Sequence, residues 1–344
     1  MRNPASISTQ ELLDSNSLAR GLAMLAVVVC HLPFAHAFWK PLATFASAGK
    51  LAVSVFLFSS GLVLQWQANR AAAPVPLGIW AKKRFWRIYP VYWFGLALAL
   101  LGAWAFRGKT YDAATLAANG LGIPLLLGRK VVSAGYTVPF WFISILLFCY
   151  LLFPAVRRVQ RKSWLVLGAF GVSAVLLRTG AVMEAAALAL PSFFLGQACA
   201  DRWSRRAEQP CRVGFHAALF VPLLLGLAAV FKGPRFFHVD PRWAYWLDLA
   251  GCAGLTFASW PALVLVAGLQ KALAAAAPRI LAGLRWFAGL SFAVYVVHEP
   301  LLVVLERTSA AGRPWFGLAA YAAVVLAAAR GVDALDRALR GRAA

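Results

Sequence analysis

Long apolar stretches separated by short polar or basic segments dominate the chain. Helices are expected at about 17–38, 50–68, 88–106, 138–156, 163–180, 185–200, 213–231, 244–268, 286–306 and 315–331. Each is close to the ~20 apolar residues that a helix needs to cross the hydrocarbon of a bilayer. The alternation that a membrane barrel requires is absent. Residues 113–128 are apolar but short, and Asn119, Gly120, Gly122 and Pro124 interrupt them, so they read as re-entrant or interfacial. Ser15, Asn16 and Ser17 are suited to cap the first helix, and His36 and Trp39 stand at its outer end. The expected fold is all-α: a polytopic transmembrane helix bundle of about ten spanning helices with one short re-entrant or interfacial segment. A single membrane-embedded domain covers residues 1–344.

Composition agrees with that reading. The hydrophobic fraction is 62% and the mean hydropathy is +0.71, far from a soluble domain. The net charge of +22 would suggest nucleic acid on a soluble protein. Here the basic residues lie between apolar runs, so the excess of Lys and Arg in cytoplasmic loops explains them, and no nucleic-acid partner is expected. With ten spans and both termini cytoplasmic, 22 of the 34 Lys and Arg fall inside and 12 outside. An eleventh span at 113–128 would turn the Arg157–Lys162 cluster outward. The five cysteines form no C-x-x-C pair, so neither a disulfide framework nor a metal site is expected. Ala35-His36-Ala37 after an apolar core imitates a signal-peptidase site. The leading segment carries Glu11 and Asp14, however, and the first helix is read as retained.

Candidate chemistry begins in the first helix. Arg20 and His31 are 11 positions apart, which puts them within about 20° on one helix face and roughly 16 Å apart along the axis. Spacing alone leaves two readings: a headgroup anchor with a hydrogen-bonded histidine, or a functional pathway. Cys30 adjoins His31, but neighbours on a helix diverge, which argues against a Cys/His pair. Ser59-Ser60-Gly61 reads as close helix packing, with no acid or base placed to activate either serine. Arg84 and Arg87 share a face and could grip phosphate, or simply anchor the chain at the cytoplasmic surface. His298 and Glu299 precede Pro300 as either substrate groups or a structural pair.

Four stretches together resemble the acyltransferase-3 family of integral membrane proteins. They are Leu13-Asp14 with Arg20-Gly21 and His31; Ser54-Val55-Phe56-Leu57-Phe58-Ser59-Ser60-Gly61; Arg84-Phe85-Trp86-Arg87-Ile88-Tyr89-Pro90, which fits R-x-x-R-I-x-P; and the run from Leu290 to Pro300 with Ser291, Tyr295 and His298. One stretch departs from the family pattern. Where many members carry Ser-x-Glu-Glu, this chain reads Phe140-Trp141-Phe142-Ile143-Ser144, without carboxylates. That leaves the acceptor open.

The resemblance implies transfer of an acyl group, expected to be acetyl, from cytoplasmic acyl-CoA to a hydroxyl of an extracytoplasmic carbohydrate or glycolipid. It implies catalytic roles for His31 as general base and for Arg20, which would complete the donor site or stabilise charge near the thioester. It implies substrate contacts from Arg84, Arg87, Asp14, Ser144, His298, Glu299 and Trp141. No permanently bound cofactor and no metal are expected, and acyl-CoA enters as donor substrate. The expected location is a bacterial inner membrane. The rival reading is a transporter or flippase, since buried ionisable residues and broken helices also describe substrate pathways.

Overall fold

The structure is a computed structural model, which describes residues 6–35, 37–71, 73, 75–135, 137–180, 183–205, 211–237, 243–310 and 312–343. His36 and Pro74 lie outside the described residues. Thirteen α-helices are present among the described residues: α1 Thr9–Ala35, α2 Ala46–Arg70, α3 Leu77–Arg107, α4 Ala113–Gly120, α5 Trp141–Val156, α6 Lys162–Thr179, α7 Glu184–Arg205, α8 Val213–Phe237, α9 Ala244–Ala276, α10 Pro278–Gly289, α11 Ser291–Val297, α12 Leu302–Ala310 and α13 Pro314–Ala343. Two short strands, β1 Ser6–Ile7 and β2 Cys211–Arg212, pair antiparallel.

Seven helices among the described residues are long and apolar enough to cross a membrane, or eight if α10 and α11, bent by 56°, form one span. The expected count was about ten. The difference arises largely where the chain departs from straight apolar helices. α5 has only 16 residues. The expected helix at 286–306 is broken twice, at Leu290 and again between His298 and Leu301. Pro300 has no N–H to donate to the turn before it, which accounts for the second break. Residues 113–128 form the eight-residue α4 and a short 3-10 turn at Leu125–Leu127. Eight residues advance about 12 Å, well short of the ~30 Å hydrocarbon. Asp112 caps α4 by accepting from the Thr115 hydroxyl (2.7 Å) and the Thr115 N–H (2.9 Å). Those bonds, with Arg129 nearby, hold its carboxyl below the usual range.

α1 starts eight residues earlier than expected, at Thr9 rather than at 17. Ser8 and Glu11 form a reciprocal cap. The Ser8 N–H donates to Glu11 Oε2 (2.7 Å) and the Glu11 N–H donates to Ser8 Oγ (3.2 Å). Ser15, Asn16 and Ser17 consequently sit inside the helix rather than at its start. α3 likewise begins at Leu77, which carries the Lys82–Arg87 basic run onto helix.

The chain divides into two compact units. The first holds Met1–Ala23, Ser47–Pro74 and Phe148–Ala288. In it α6 and α9 pack on α7, and α8 packs on α9. A cluster of Leu188, Leu227, Cys252, Leu255 and Ala258 lies at its centre. α2 and α7 meet through glycines: a Cβ at Gly61 would lie 1.9 Å from the Phe193 carbonyl oxygen, and one at Gly196 would lie 2.1 Å from that of Phe58. The Ser-Gly signature of the second helix is therefore a packing device. Further along the same pair of helices, Asp201 accepts from Gln65 Nε2 (2.9 Å) and from Asn69 Nδ2 (2.9 Å). Lys162, 3% exposed, donates to the carbonyls of Val156 and Arg157, both at 2.7 Å, at the end of α5. α8 has mean hydropathy 2.2 with only 11% of its apolar window buried, and Val221, Leu224 and Leu225 are exposed. Lipid is the solvent that such a helix fits.

The second unit holds Met24–Ala46, Val75–Leu147 and Gly289–Ala344. In it α11 packs on α3 and α13, and α12 packs on α13. Gly95 of α3 allows the close approach to α11, since a Cβ there would lie 2.6 Å from Val296 Cβ and 2.7 Å from the Val296 carbonyl oxygen. Tyr92 of α3 is fully buried and donates to the Asn119 carbonyl at 2.5 Å. Asn119 in turn accepts from the Val132 N–H at 3.0 Å. These bonds tie α3 to α4 and α4 to Val132.

A histidine pair as the candidate active site

Within the second unit, His31 of α1 meets His298, which follows the last residue of α11. His31 Nδ1 and His298 Nε2 are 2.8 Å apart. The ring centroids are 5.1 Å apart with 7° between the planes. A nitrogen contact that short, with centroids that far apart, places the rings nearly edge to edge rather than face to face. The in-plane N–H of one ring thus meets the in-plane lone pair of the other.

His298 is held from several sides. Its Nδ1 lies 2.7 Å from the Tyr295 carbonyl oxygen, and its N–H donates to the Val294 carbonyl (2.9 Å). Its own carbonyl accepts from the Tyr321 hydroxyl of α13 at 3.0 Å. His298 and Glu299 both have 0% exposure. Glu299 reaches a different partner, the loop at 131–140. Its Oε1 accepts from the Thr137 N–H (3.0 Å) and its Oε2 from the Ala134 N–H (3.4 Å). The Tyr295 hydroxyl donates to the Pro139 carbonyl of the same loop. A buried carboxylate is costly unless hydrogen-bonded. These amides provide that and tie the loop to the helix break.

The other expected residues lie around or away from this pair. Trp141 is half-buried at the start of α5, beside Phe142 (6.3 Å between centroids, 86° between planes). Phe142 packs edge-on against Tyr295 at 5.6 Å. Ser144 is fully buried, and its hydroxyl has no hydrogen-bond partner among the described residues. Arg84 is half-buried with its guanidinium 5.7 Å from the Trp80 ring centre, whereas Arg87 is exposed. Both stand on α3 in the second unit, before the Gly95 contact. Arg20 is half-buried and remains on α1 with His31, but it falls in the first unit. Asp14, also in the first unit, is exposed and accepts from Gln10 Nε2 at 2.8 Å. The Cys30 thiol donates back to the Val27 carbonyl of its own helix, at 3.1 Å. Among the described residues there is no group of three or more His, Cys, Asp or Glu that could hold a metal ion.

Sequence reasoning missed Tyr295, Tyr321 and the loop at 131–140 as parts of this assembly. Tyr295 stands three residues before His298, the spacing that brings a backbone carbonyl under a following side chain at a helix end. That signal was present. The loop and Tyr321 left none, because they reach the site only through folding.

A curated relative named acyltransferase MdmB, from Streptomyces mycarofaciens, is 30% identical over 160 residues, which is 44% of this chain and 40% of the relative. The match thus spans less than half of that relative's length. No solved structure matches the chain. The family profile described as "Acyltransferase domain" matches residues 14–329, a range that takes in α1 from Asp14, the basic run of α3 and the histidine pair. The chain belongs to that membrane acyltransferase family.

Proposed function

We propose that the protein transfers an acyl group, acetyl in the simplest case, from acyl-CoA to a hydroxyl of a carbohydrate or glycolipid on the far side of a bacterial inner membrane. The observation that carries this reading is the His31–His298 contact at 2.8 Å within the second unit. A hydroxyl is a weak nucleophile until a positioned base takes its proton, and a neutral imidazole can do so. In the proposed step the acceptor oxygen attacks the thioester carbonyl as its proton passes to His31. The carbon–sulfur bond then breaks, and the CoA thiolate leaves with a proton returned from His31. Acyl-CoA is a substrate here rather than a resident group.

Arg84 and Arg87 support a donor mouth. They precede Gly95 by 11 and 8 residues on α3, about 16 and 12 Å along the axis. Gly95 is the residue that touches Val296, two positions from His298. Guanidiniums set back along the helix by that distance suit the phosphates of CoA, with the flexible arm carrying the thioester toward the histidines. The cytoplasmic placement of the basic run rests on the charge distribution.

The test is transfer of labelled acetyl from acetyl-CoA into the cell-envelope glycan fraction, at matched protein level. His31→Gln keeps polarity but cannot take a proton, and it should lower transfer by about 10²–10⁴-fold. Near wild-type transfer by His31→Gln would sink the assignment of the base. Envelope glycans indistinguishable by mass spectrometry with and without the protein would sink the acceptor class.

A further inference from the structure

We propose that His298 is a positioning residue that sets the tautomer of His31 and so decides which nitrogen acts as the base. The inference rests on the acyl-transfer reading for its catalytic consequence, but the tautomer itself follows from three contacts.

A backbone carbonyl can only accept a hydrogen bond. The Tyr295 carbonyl oxygen lies 2.7 Å from His298 Nδ1, so that nitrogen carries the proton. Neutral imidazole has one N–H and one lone pair. His298 Nε2 is therefore an acceptor, directed at His31 Nδ1 at 2.8 Å. His31 Nδ1 must then be the donor, and the basic lone pair of His31 falls on Nε2. Its orientation is fixed because the ring planes are 7° apart and His298 is wholly buried. The Tyr321 hydroxyl, 3.0 Å from the His298 carbonyl, keeps the residue that sends this signal in place.

The same chain serves the charged state. When His31 Nε2 takes a proton from the acceptor hydroxyl, Nδ1–H still donates to His298 Nε2, now as a charge-assisted bond. No proton moves between the histidines, and none needs to. The neutral ring of His298 orients the base before the step and supports the imidazolium after it. A carboxylate in its place would also attract the proton electrostatically. A neutral partner leaves His31 able to give the proton back to the departing thiolate.

Two measurements test this, and one is independent of activity. The chain has five histidines, so nitrogen NMR of the full-length protein in lipid, with labelled histidine, can resolve His31 by comparison with a His31→Gln sample. His31 protonated on Nδ1 in the wild type is expected, with the Nε2-protonated form rising in His298→Leu. Wild-type His31 protonated on Nε2 would overturn the proposal whatever the enzyme does, and whether or not the variant folds. The second measurement is steady-state kinetics with acetyl-CoA. His298→Leu should lower kcat by about 10²-fold or more while the KM for acetyl-CoA changes less than about twofold. His298→Gln offers an amide oxygen to His31 Nδ1–H and should regain about tenfold over the leucine variant. A Leu variant with normal kcat, or Leu and Gln variants that fall equally, would refute the role of His298 while leaving His31 as base untouched. Near wild-type transfer by His31→Gln would instead remove His31 as the base and leave its tautomer standing, and absence of any acetyl transfer by the wild type would remove the acyl-transfer reading.

Discussion

The α2–α7 seam of the first unit and the α11–α12 break of the second both bury polar groups among apolar side chains, and they use them differently. At the seam, Asp201 accepts from Gln65 and Asn69 (2.9 Å each), and glycines bring the backbones together at Phe193 and Phe58. Both amides converge on one carboxylate, and the result is a fixed crossing of two helices. At the break, His298 has Nδ1 against the Tyr295 carbonyl (2.7 Å) and Nε2 against His31 Nδ1 (2.8 Å), which places the lone pair of His31 on its Nε2. Glu299 beside it pins a loop rather than another helix. Buried polarity that ties one helix to another holds structure, and buried polarity that hands a lone pair outward supports chemistry.

The sharpest test of that contrast is at the glycines. Gly61→Ala puts a methyl group against a backbone oxygen that cannot rotate away. It should cost about 2–3 kcal/mol through forced separation of α2 and α7. Gly168→Ala has nothing within 4 Å of the new Cβ, and it should instead gain about 0.5–1 kcal/mol of helix propensity. Thermal unfolding of both in the same detergent compares them, and equal behaviour would show that the seam is not a tight crossing.

Glu299→Gln comes next. The amide retains one acceptor for the loop but turns a donor toward the other N–H, which should cost about 1–2 kcal/mol. Protection of the Ala134 and Thr137 amides in hydrogen exchange should fall with it. Unchanged protection would separate Glu299 from the loop and weaken the account of the break.

Replacing both Arg84 and Arg87 by Lys keeps the charge and loses the planar fork. The KM for acetyl-CoA should rise about 5–10-fold, or roughly 1 kcal/mol, with kcat nearly unchanged. A fall in kcat at constant KM would move these residues from donor binding to the reacting centre.

The smallest effect belongs to Asp112, exposed at the start of α4. Its carboxyl is held below the ordinary range chiefly by the Thr115 hydrogen bonds. A depressed folded-state value contributes stability above the unfolded value and loses it as pH falls through the folded one. Exchange protection of α4 should thus decline on acidification of the wild type. Asp112→Asn, which keeps a capping oxygen, should flatten that decline, and a slope unchanged by the substitution would place its origin elsewhere.

Much of this molecule is local and could be read without a fold. Hydropathy over ~20 residues marks membrane helices because each segment must satisfy the bilayer by itself. Short-range spacing put Arg20 and His31 on one helix and identified His298 and Glu299 as ionisable groups at a proline break. The Ser8–Glu11 cap is equally legible, as a serine three residues before a glutamate, and it competes with the hydroxyls at 15–17 as a helix start. Other features depended on how distant segments register against one another. His31 finds a partner 267 positions away, and Glu299 finds loop amides 162 and 165 positions before it. No periodicity specifies such pairs. Gly95 decides how near α3 comes to Val296, and Pro300 decides where the helix stops. Together these place an imidazole lone pair opposite an N–H with the sub-ångström accuracy that only packed tertiary structure supplies.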